Sequence, residues 1–93
     1  MNVRKRGDWL IARVGGECIM MSRQKVHHIG MTEVGARIWE LLDEATEVDA
    51  VCAQLRNEYA IPPDVCRSEV EAFLNELAGH GAVAIEGAEA ARP

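Results

Sequence analysis

The stretch from Ile29 to Leu42, IGMTEVGARIWELL, joins the end of a short strand to the start of a helix. Thr32 is a favourable N-cap residue, because its hydroxyl accepts a hydrogen bond from a backbone N–H of the first helical turn. Gly35 lies inside the helix at a cost of about 0.5–1 kcal/mol relative to alanine, and such a glycine indicates that another backbone segment comes close. Apolar residues recur at helical spacing and predict a buried face made of Val34, Ile38, Leu41 and Leu42.

Three short strands are predicted before this helix. Gly15-Gly16 separates the first two, and such a pair between strand-forming runs is typical of a hairpin turn. Short strands joined by tight turns form an antiparallel meander. The predicted strands cover residues 8–14, 17–22 and 25–29.

Two more amphipathic helices are predicted after the first one. Apolar residues recur at helical spacing over residues 48–59, and Pro62-Pro63 ends that segment. Asp64 is then expected to cap a third helix, which ends near Gly79. A small sheet with one apolar face must bury that face against helices. The sequence therefore predicts an α+β domain of the winged helix-turn-helix kind, with a three-stranded antiparallel sheet followed by three helices.

The 93 residues are expected to form one domain over residues 8–86. Residues 1–7 are interpreted as a solvated N-terminal arm and residues 87–93 as a disordered tail, with a last short strand over residues 82–85. No apolar run approaches the roughly 18–20 residues of a membrane span, and the N-terminus lacks the apolar segment of a secretory signal. A cytoplasmic protein without a membrane partner is expected.

The charge distribution argues against nucleic-acid binding. The net charge is −5, and residues 31–93 hold thirteen acidic but only four basic side chains. Lys and Arg supply most of the affinity for a phosphate backbone, whereas Arg67 is the only base of the third predicted helix. We therefore expect no nucleic-acid partner.

No constellation for catalysis or metal binding is visible. The three cysteines (Cys18, Cys52 and Cys66) lie at apolar positions without metal-ligand spacing, which favours structural thiols. His27 and His28 are adjacent in a predicted strand, so their side chains point to opposite faces and cannot hold one metal together. There is no phosphate-binding glycine loop. No catalytic residue, metal or cofactor is expected.

The third predicted strand is the best candidate for a binding site. An edge strand leaves N–H and C=O groups unpaired, and a peptide can add to it as a further strand. Val26, His27, His28 and Ile29 would supply this edge. On the third helix, Val70, Phe73 and Leu74 either form the floor of an apolar groove beside that edge or belong to the core.

Three motifs in order resemble the PqqD-like family, small peptide-binding domains also called RiPP recognition elements. They are TEVGARIWELL, VDAVCAQLRNEYAI and DVCRSEVEAFLNELAGHGAV, and the resemblance covers residues 8–86. It implies a non-catalytic protein that holds the leader segment of a ribosomally made precursor peptide against the third strand and the third helix. Carried onto this sequence, the helix wall consists of Arg67, Val70, Glu71 and Leu74.

The resemblance also implies an enzyme partner that modifies the bound precursor. That partner is either the radical enzyme of a quinone-cofactor pathway or the leader protease and cyclase of a lasso-peptide pathway. Two alternatives remain open, a winged-helix transcription regulator and an oligomerisation domain. Since an open edge strand can also pair with its own copy, both a monomer and an edge-paired dimer are compatible with the sequence.

Overall fold

The computed structural model describes residues 2–23, 28–44 and 46–86. The α+β class and the three-helix order are as predicted. None of the helices in these ranges is long and apolar enough to cross a membrane. The elements in chain order are β1 (Asn2–Lys5), β2 (Trp9–Val14), β3 (Glu17–Ser22), β4 (His28–Met31), α1 (Glu33–Leu41), α2 (Val48–Glu58), α3 (Pro63–Gly79) and β5 (Val83–Glu86).

The predicted meander is the antiparallel sheet β2-β3-β4. Val14 and Glu17 lie opposite each other across Gly15 and Gly16, whose φ angles of 57° and 86° are those of a type I′ turn. The third predicted strand is described from His28 to Met31 and continues through Gly30, which was expected to close it. Residues 25–27 of that prediction lie outside the described residues.

A second, two-stranded sheet was not predicted. β1 pairs antiparallel with β5, from Asn2 opposite Glu86 to Lys5 opposite Val83. Val3 is fully buried, and its N–H donates to the Thr46 carbonyl at 2.8 Å. The interpretation of the N-terminus as a solvated arm is therefore wrong for residues 2–5. The expected tail, residues 87–93, lies outside the described residues.

The start of α1 forms as predicted, because the Thr32 hydroxyl accepts from the Gly35 N–H at 3.2 Å. The second helix begins at Val48, with Glu47 at its N-cap. The third helix start differs from the prediction, since α3 begins at Pro63 rather than being capped by Asp64. Proline suits a first helical position because its missing N–H would have no partner there.

Gly35 allows three elements to approach. A Cβ built there would lie 3.2 Å from the Met31 Cβ and 3.2 Å from a ring carbon of Phe73. The neighbours are therefore side chains of β4 and α3, not the backbone segment that was expected. This contact brings α3 to the end of β4.

The core lies between the β2-β3-β4 sheet and the helices, and it is mostly aliphatic. Trp39 is buried and its ring carries the Lys5 ammonium 4.2 Å from the ring centroid, while Trp9 is half-buried. All three cysteines are buried and free. The largest fully buried side chains come from both sheets and two helices: Met20, Leu55, Leu74, Leu77, Val3, Val48, Val51 and Val70.

Candidate functional site

The strand β4 has an open edge. The sheet order β2-β3-β4 pairs one side of β4 with β3, and no other strand within the described ranges pairs with its second side. Of the four residues predicted to form this edge, His28 and Ile29 lie on β4. Val26 and His27 lie outside the described residues.

Two residues of β4 direct their backbone groups to the open edge. The two-residue hairpin makes Val14 and Glu17 a hydrogen-bonded pair, and such pairs alternate along antiparallel strands. The bond from Arg23 N–H to the Asp8 carbonyl, 2.9 Å, continues the same alternation beyond the last paired residues. Ile29 and Met31 therefore bond to β3, which leaves the peptide groups of His28 and Gly30 facing outward.

The side chains of β4 alternate between core and solvent. Ile29 is buried opposite Met20, and Met31 packs against the core beside Gly35. His28 is exposed on the other face. Of the predicted edge residues, Ile29 thus serves the core with its side chain and His28 is available at the surface.

An apolar pocket of about 270 Å³ lies between α1, α3 and the connection from α2 to α3. Val34, one of its lining residues, follows the last residue of β4, Met31, by three positions, so the pocket lies near that end of the strand. Val65 lines its mouth and is 45% exposed, which is high for a large aliphatic side chain. The full lining is Val34, Ile38, Leu55, Ile61, Val65, Cys66, Glu69 and Val70.

Arg67 and Glu71 do not line this pocket. Arg67 contacts Asp49 of α2 through Nη1 and Glu71 through Nε, which places it on the α2 side of α3. Positions two apart on a helix point about 200° away from each other. Glu69 lies two positions from both Arg67 and Glu71, so these two charged side chains point away from the pocket, whereas Val70 of the predicted wall lines it.

Val70 and Leu74 are core residues. Leu74 is fully buried and is absent from the pocket lining, so it belongs to the core. Val70 is equally buried, but it forms part of the pocket floor. The sequence left open whether these residues form a groove floor or belong to the core. Leu74 belongs to the core, and Val70 is both a core residue and part of the pocket lining.

Ion pairs hold α1 against α2 and against the sheet. Arg37 of α1 and Arg13 of β2 each pair with a carboxylate of another element. Arg37 donates to Glu58 from Nε at 2.8 Å and from Nη2 at 2.7 Å, and this lowers the pKa of Glu58 to about 2. Arg13 donates to Glu33 and Glu40, each at 3.1 Å, and its bond to Glu33 lowers the pKa of that carboxyl. These pairs fix α1, which carries one wall of the pocket.

Cys52 and Cys66 are buried thiols that act as small apolar side chains. Burial raises the pKa of Cys52 to about 11, so this group is neutral near pH 7. Cys66 lines the pocket floor, and its Sγ lies 3.8 Å from the Cys52 carbonyl oxygen. The described residues contain no group of three or more potential metal ligands.

Sequence reasoning named Val70 as a possible groove residue but missed Val65 and Glu69 of α3. Val65, Glu69 and Phe73 recur every four residues and so share one helix face. The signal was an apolar residue, Val65, outside the core stripe of α3. Val34 and Ile38 were predicted to be buried. That they line a pocket together with residues of α3 depends on how the helices pack, which the sequence pattern does not give.

Solved structures of two proteins resemble this fold closely. One is TbiB1 in complex with the TbiA(beta) leader peptide, with a TM-score of 0.74 and 21% sequence identity over 91% of this chain and 99% of that chain. The other is a lasso peptide synthetase B1 complexed with the leader peptide, with a TM-score of 0.74 and 15% identity over 91% of this chain and 100% of that chain. At these identities the likeness concerns the fold.

No curated relative matches this sequence at a significant level. A family match does exist, and it covers most of the chain. The PqqD family, described as coenzyme PQQ synthesis protein D, matches residues 17–83. This range runs from the first residue of β3 to the first residue of β5 and includes both β4 and the pocket. The resemblance inferred from the three motifs is thereby confirmed, and the chain belongs to the PqqD family.

Proposed function

We propose that this protein binds the leader segment of a ribosomally synthesised precursor peptide as an added strand along β4. The observation that carries the proposal is an open strand edge beside an apolar pocket. Backbone hydrogen bonds to His28 and Gly30 would supply affinity that is independent of the peptide sequence. An apolar side chain of the peptide would enter the pocket and supply selectivity. Val26 and His27 would extend the same edge.

The comparisons support this function. The two structurally similar proteins are complexes with leader peptides, and the family is that of a coenzyme PQQ synthesis protein. We infer a non-catalytic role in which the domain presents the precursor to a modifying enzyme. That enzyme would be a leader protease and cyclase in a lasso-peptide pathway, or a radical enzyme in a PQQ-type pathway.

Two other functions are less well supported. A winged-helix transcription regulator needs a basic recognition helix, whereas α3 carries one base, Arg67, which is paired with two carboxylates. An oligomerisation domain would use the same open edge for a second copy of the chain. Light scattering over a range of concentrations separates a monomeric peptide binder from an edge-paired dimer.

The direct test is calorimetric titration with synthetic peptides that cover the N-terminal segments of short open reading frames next to the gene. A one-to-one complex with a negative heat-capacity change is expected, since an apolar side chain is buried. If the folded protein binds none of these peptides and scattering shows a stable dimer, the oligomerisation function replaces the proposed one.

His28→Pro tests the strand edge itself. Proline removes an outward N–H, and it is tolerated at the first residue of an edge strand. Loss of one hydrogen bond is worth about 0.5–1.5 kcal/mol, so we expect peptide affinity to fall by roughly 2- to 13-fold with little change in thermal stability.

The matched control is His28→Ala, which removes the imidazole and keeps the N–H. This variant should bind the peptide like the unmodified protein. Equal weakening in both variants would mean that the His28 side chain, rather than the strand edge, contacts the peptide.

A further inference from the structure

One charged side chain interrupts an otherwise apolar pocket. Among the described residues that line the pocket, Glu69 is the only one with a carboxylate, and it is exposed. Within the described part of the chain it forms no hydrogen bond or ion pair. Other carboxylates near α1 and α3 behave differently. Glu58 is held by Arg37, Glu33 by Arg13 and Glu71 by Arg67.

No basic residue of α3 can neutralise this side of the helix. Arg67 is the only base between Pro63 and Gly79, and it is held on the α2 side by Asp49 and Glu71. Glu76 adds a second exposed carboxylate on the Glu69 side, two turns further along the helix. The face of α3 that bears Glu69 and Glu76 therefore carries a net negative charge.

An exposed aliphatic surface lies beside this charge. Val65 is one helical turn before Glu69 and is 45% exposed at the mouth of the pocket. Lys and Arg side chains lay their methylene stems along such apolar surface while the charged head stays in water. Val65 thus offers an apolar surface to the methylene stem of one basic side chain. Glu69 offers an ion-pair partner to the charged group of the same side chain.

Strand geometry sets the spacing between the two side chains of the peptide. In an added strand, residues two apart point to the same face and lie about 7 Å apart along the strand. One such residue can fill the pocket while the next on the same face reaches its rim.

We propose that the peptide taken by this site carries a Lys or Arg two positions from the apolar residue that fills the pocket, and that Glu69 selects it. The inference rests on the proposed strand addition at β4 and specifies which peptides that site prefers. An acidic residue at the same position would face the Glu69 carboxylate and be disfavoured.

A selection from random peptides tests this preference even though the natural ligand is unidentified. A library of random 12-residue peptides displayed on phage is selected against the folded full chain, against Glu69→Lys and against Glu44→Lys. Glu44 is exposed and lies outside the pocket lining, so its variant changes the net charge equally. The unmodified chain and Glu44→Lys should enrich apolar-x-basic or basic-x-apolar motifs, and Glu69→Lys should enrich Asp or Glu instead.

Affinities of one selected peptide give the magnitude. Glu69→Gln should weaken binding about two- to fivefold, as for other exposed ion pairs, and the loss should shrink as salt is added. Glu44→Gln should leave binding unchanged. Circular dichroism and thermal unfolding of each variant establish that the fold is retained.

Failure of the charge preference and failure of strand addition give different results in the selection. Enriched peptides that need the β4 edge but show no bias toward Lys or Arg would overturn the charge preference and leave strand addition intact. If the folded chain enriches no peptide family at all, strand addition itself fails, and the charge preference fails with it.

Discussion

At the scale of single residues, Glu58 joins two helices through one carboxylate. It accepts both donors of Arg37 from α1 and a third bond from Gln54 within α2 at 2.8 Å. Each bond favours the charged form, which is why its pKa falls from 4.5 to about 2. A group whose pKa is depressed by folding stabilises the folded state above its unfolded pKa.

The predicted consequence is a pH-dependent effect of Glu58→Gln. Near pH 7 this variant should unfold at a lower urea concentration than the unmodified protein. The difference should stay constant down to about pH 4.5, decrease between pH 4.5 and 2, and vanish below pH 2, where Glu58 is protonated in both states. Urea midpoints at pH 7, 4 and 2 provide the measurement.

Glu44→Gln serves as the control, because Glu44 is exposed and has no ion-pair partner among the described residues. Its urea midpoint should follow that of the unmodified protein at every pH. A deficit in Glu58→Gln that persisted unchanged at pH 2 would show that the ion pair is not its cause.

At the scale of elements, local patterns were sufficient for most of the fold. The Gly-Gly pair, the Thr32 cap and three apolar stripes correctly predicted a hairpin and three helices. β1 escaped prediction because a four-residue strand with one buried side chain, Val3, has too short a pattern to recognise. Its burial depends on β5, about eighty residues later in the chain.

The hairpin turn makes a second prediction at this scale. Both turn glycines have positive φ, and a Cβ at either would meet no atom within 4 Å. Asparagine tolerates this conformation and has fewer unfolded conformations than glycine, so Gly15→Asn should stabilise the protein by about 0.4–1 kcal/mol.

A β-branched residue in the same turn should have the opposite effect. Gly16→Val forces a left-handed conformation that costs about 1–2 kcal/mol, with no compensating contact. Urea unfolding of both variants measures the two changes. Shifts in the same direction would contradict the type I′ assignment.

The candidate site was predicted in part. The open edge of β4 follows from strand order alone, because the last strand of a three-stranded meander has one unpaired side. Its use as a peptide-binding edge stays a prediction. That Arg67 and Glu71 do not line the pocket could not be predicted, because two opposite charges one turn apart resemble a recognition surface in sequence. Only the packing of α2 against α3 reveals that Asp49 holds Arg67 away from the pocket. The apolar stripe of a helix predicts which face is buried. Which neighbouring element each adjoining face contacts depends on how the helices pack.

At the scale of the whole molecule, the β1-β5 sheet contributes to the common core. Val3 is fully buried although it is the third residue of the chain. Val3→Ala removes two carbon atoms from that core and should cost about 2 kcal/mol of unfolding free energy. Arg4→Ala, in the same strand, removes only an exposed pair with Glu86 and should cost less than about 1 kcal/mol.

Denaturant titration of the two variants distinguishes a structural strand from a peripheral one. Near-equal small effects would mean that β1 detaches without disturbing the core. In that case a solvated N-terminal arm would describe the protein in solution better than a paired strand.

The pairing of Asn2 with Glu86 also affects how this domain can be joined to other proteins. Paired residues of antiparallel strands lie about 4.5–5.5 Å apart, so the first and last described residues of the domain are close neighbours. Domain insertion and circular permutation succeed where two chain ends lie close together at the surface. The domain therefore suits transplantation into a surface loop of an unrelated enzyme with very short linkers on both sides.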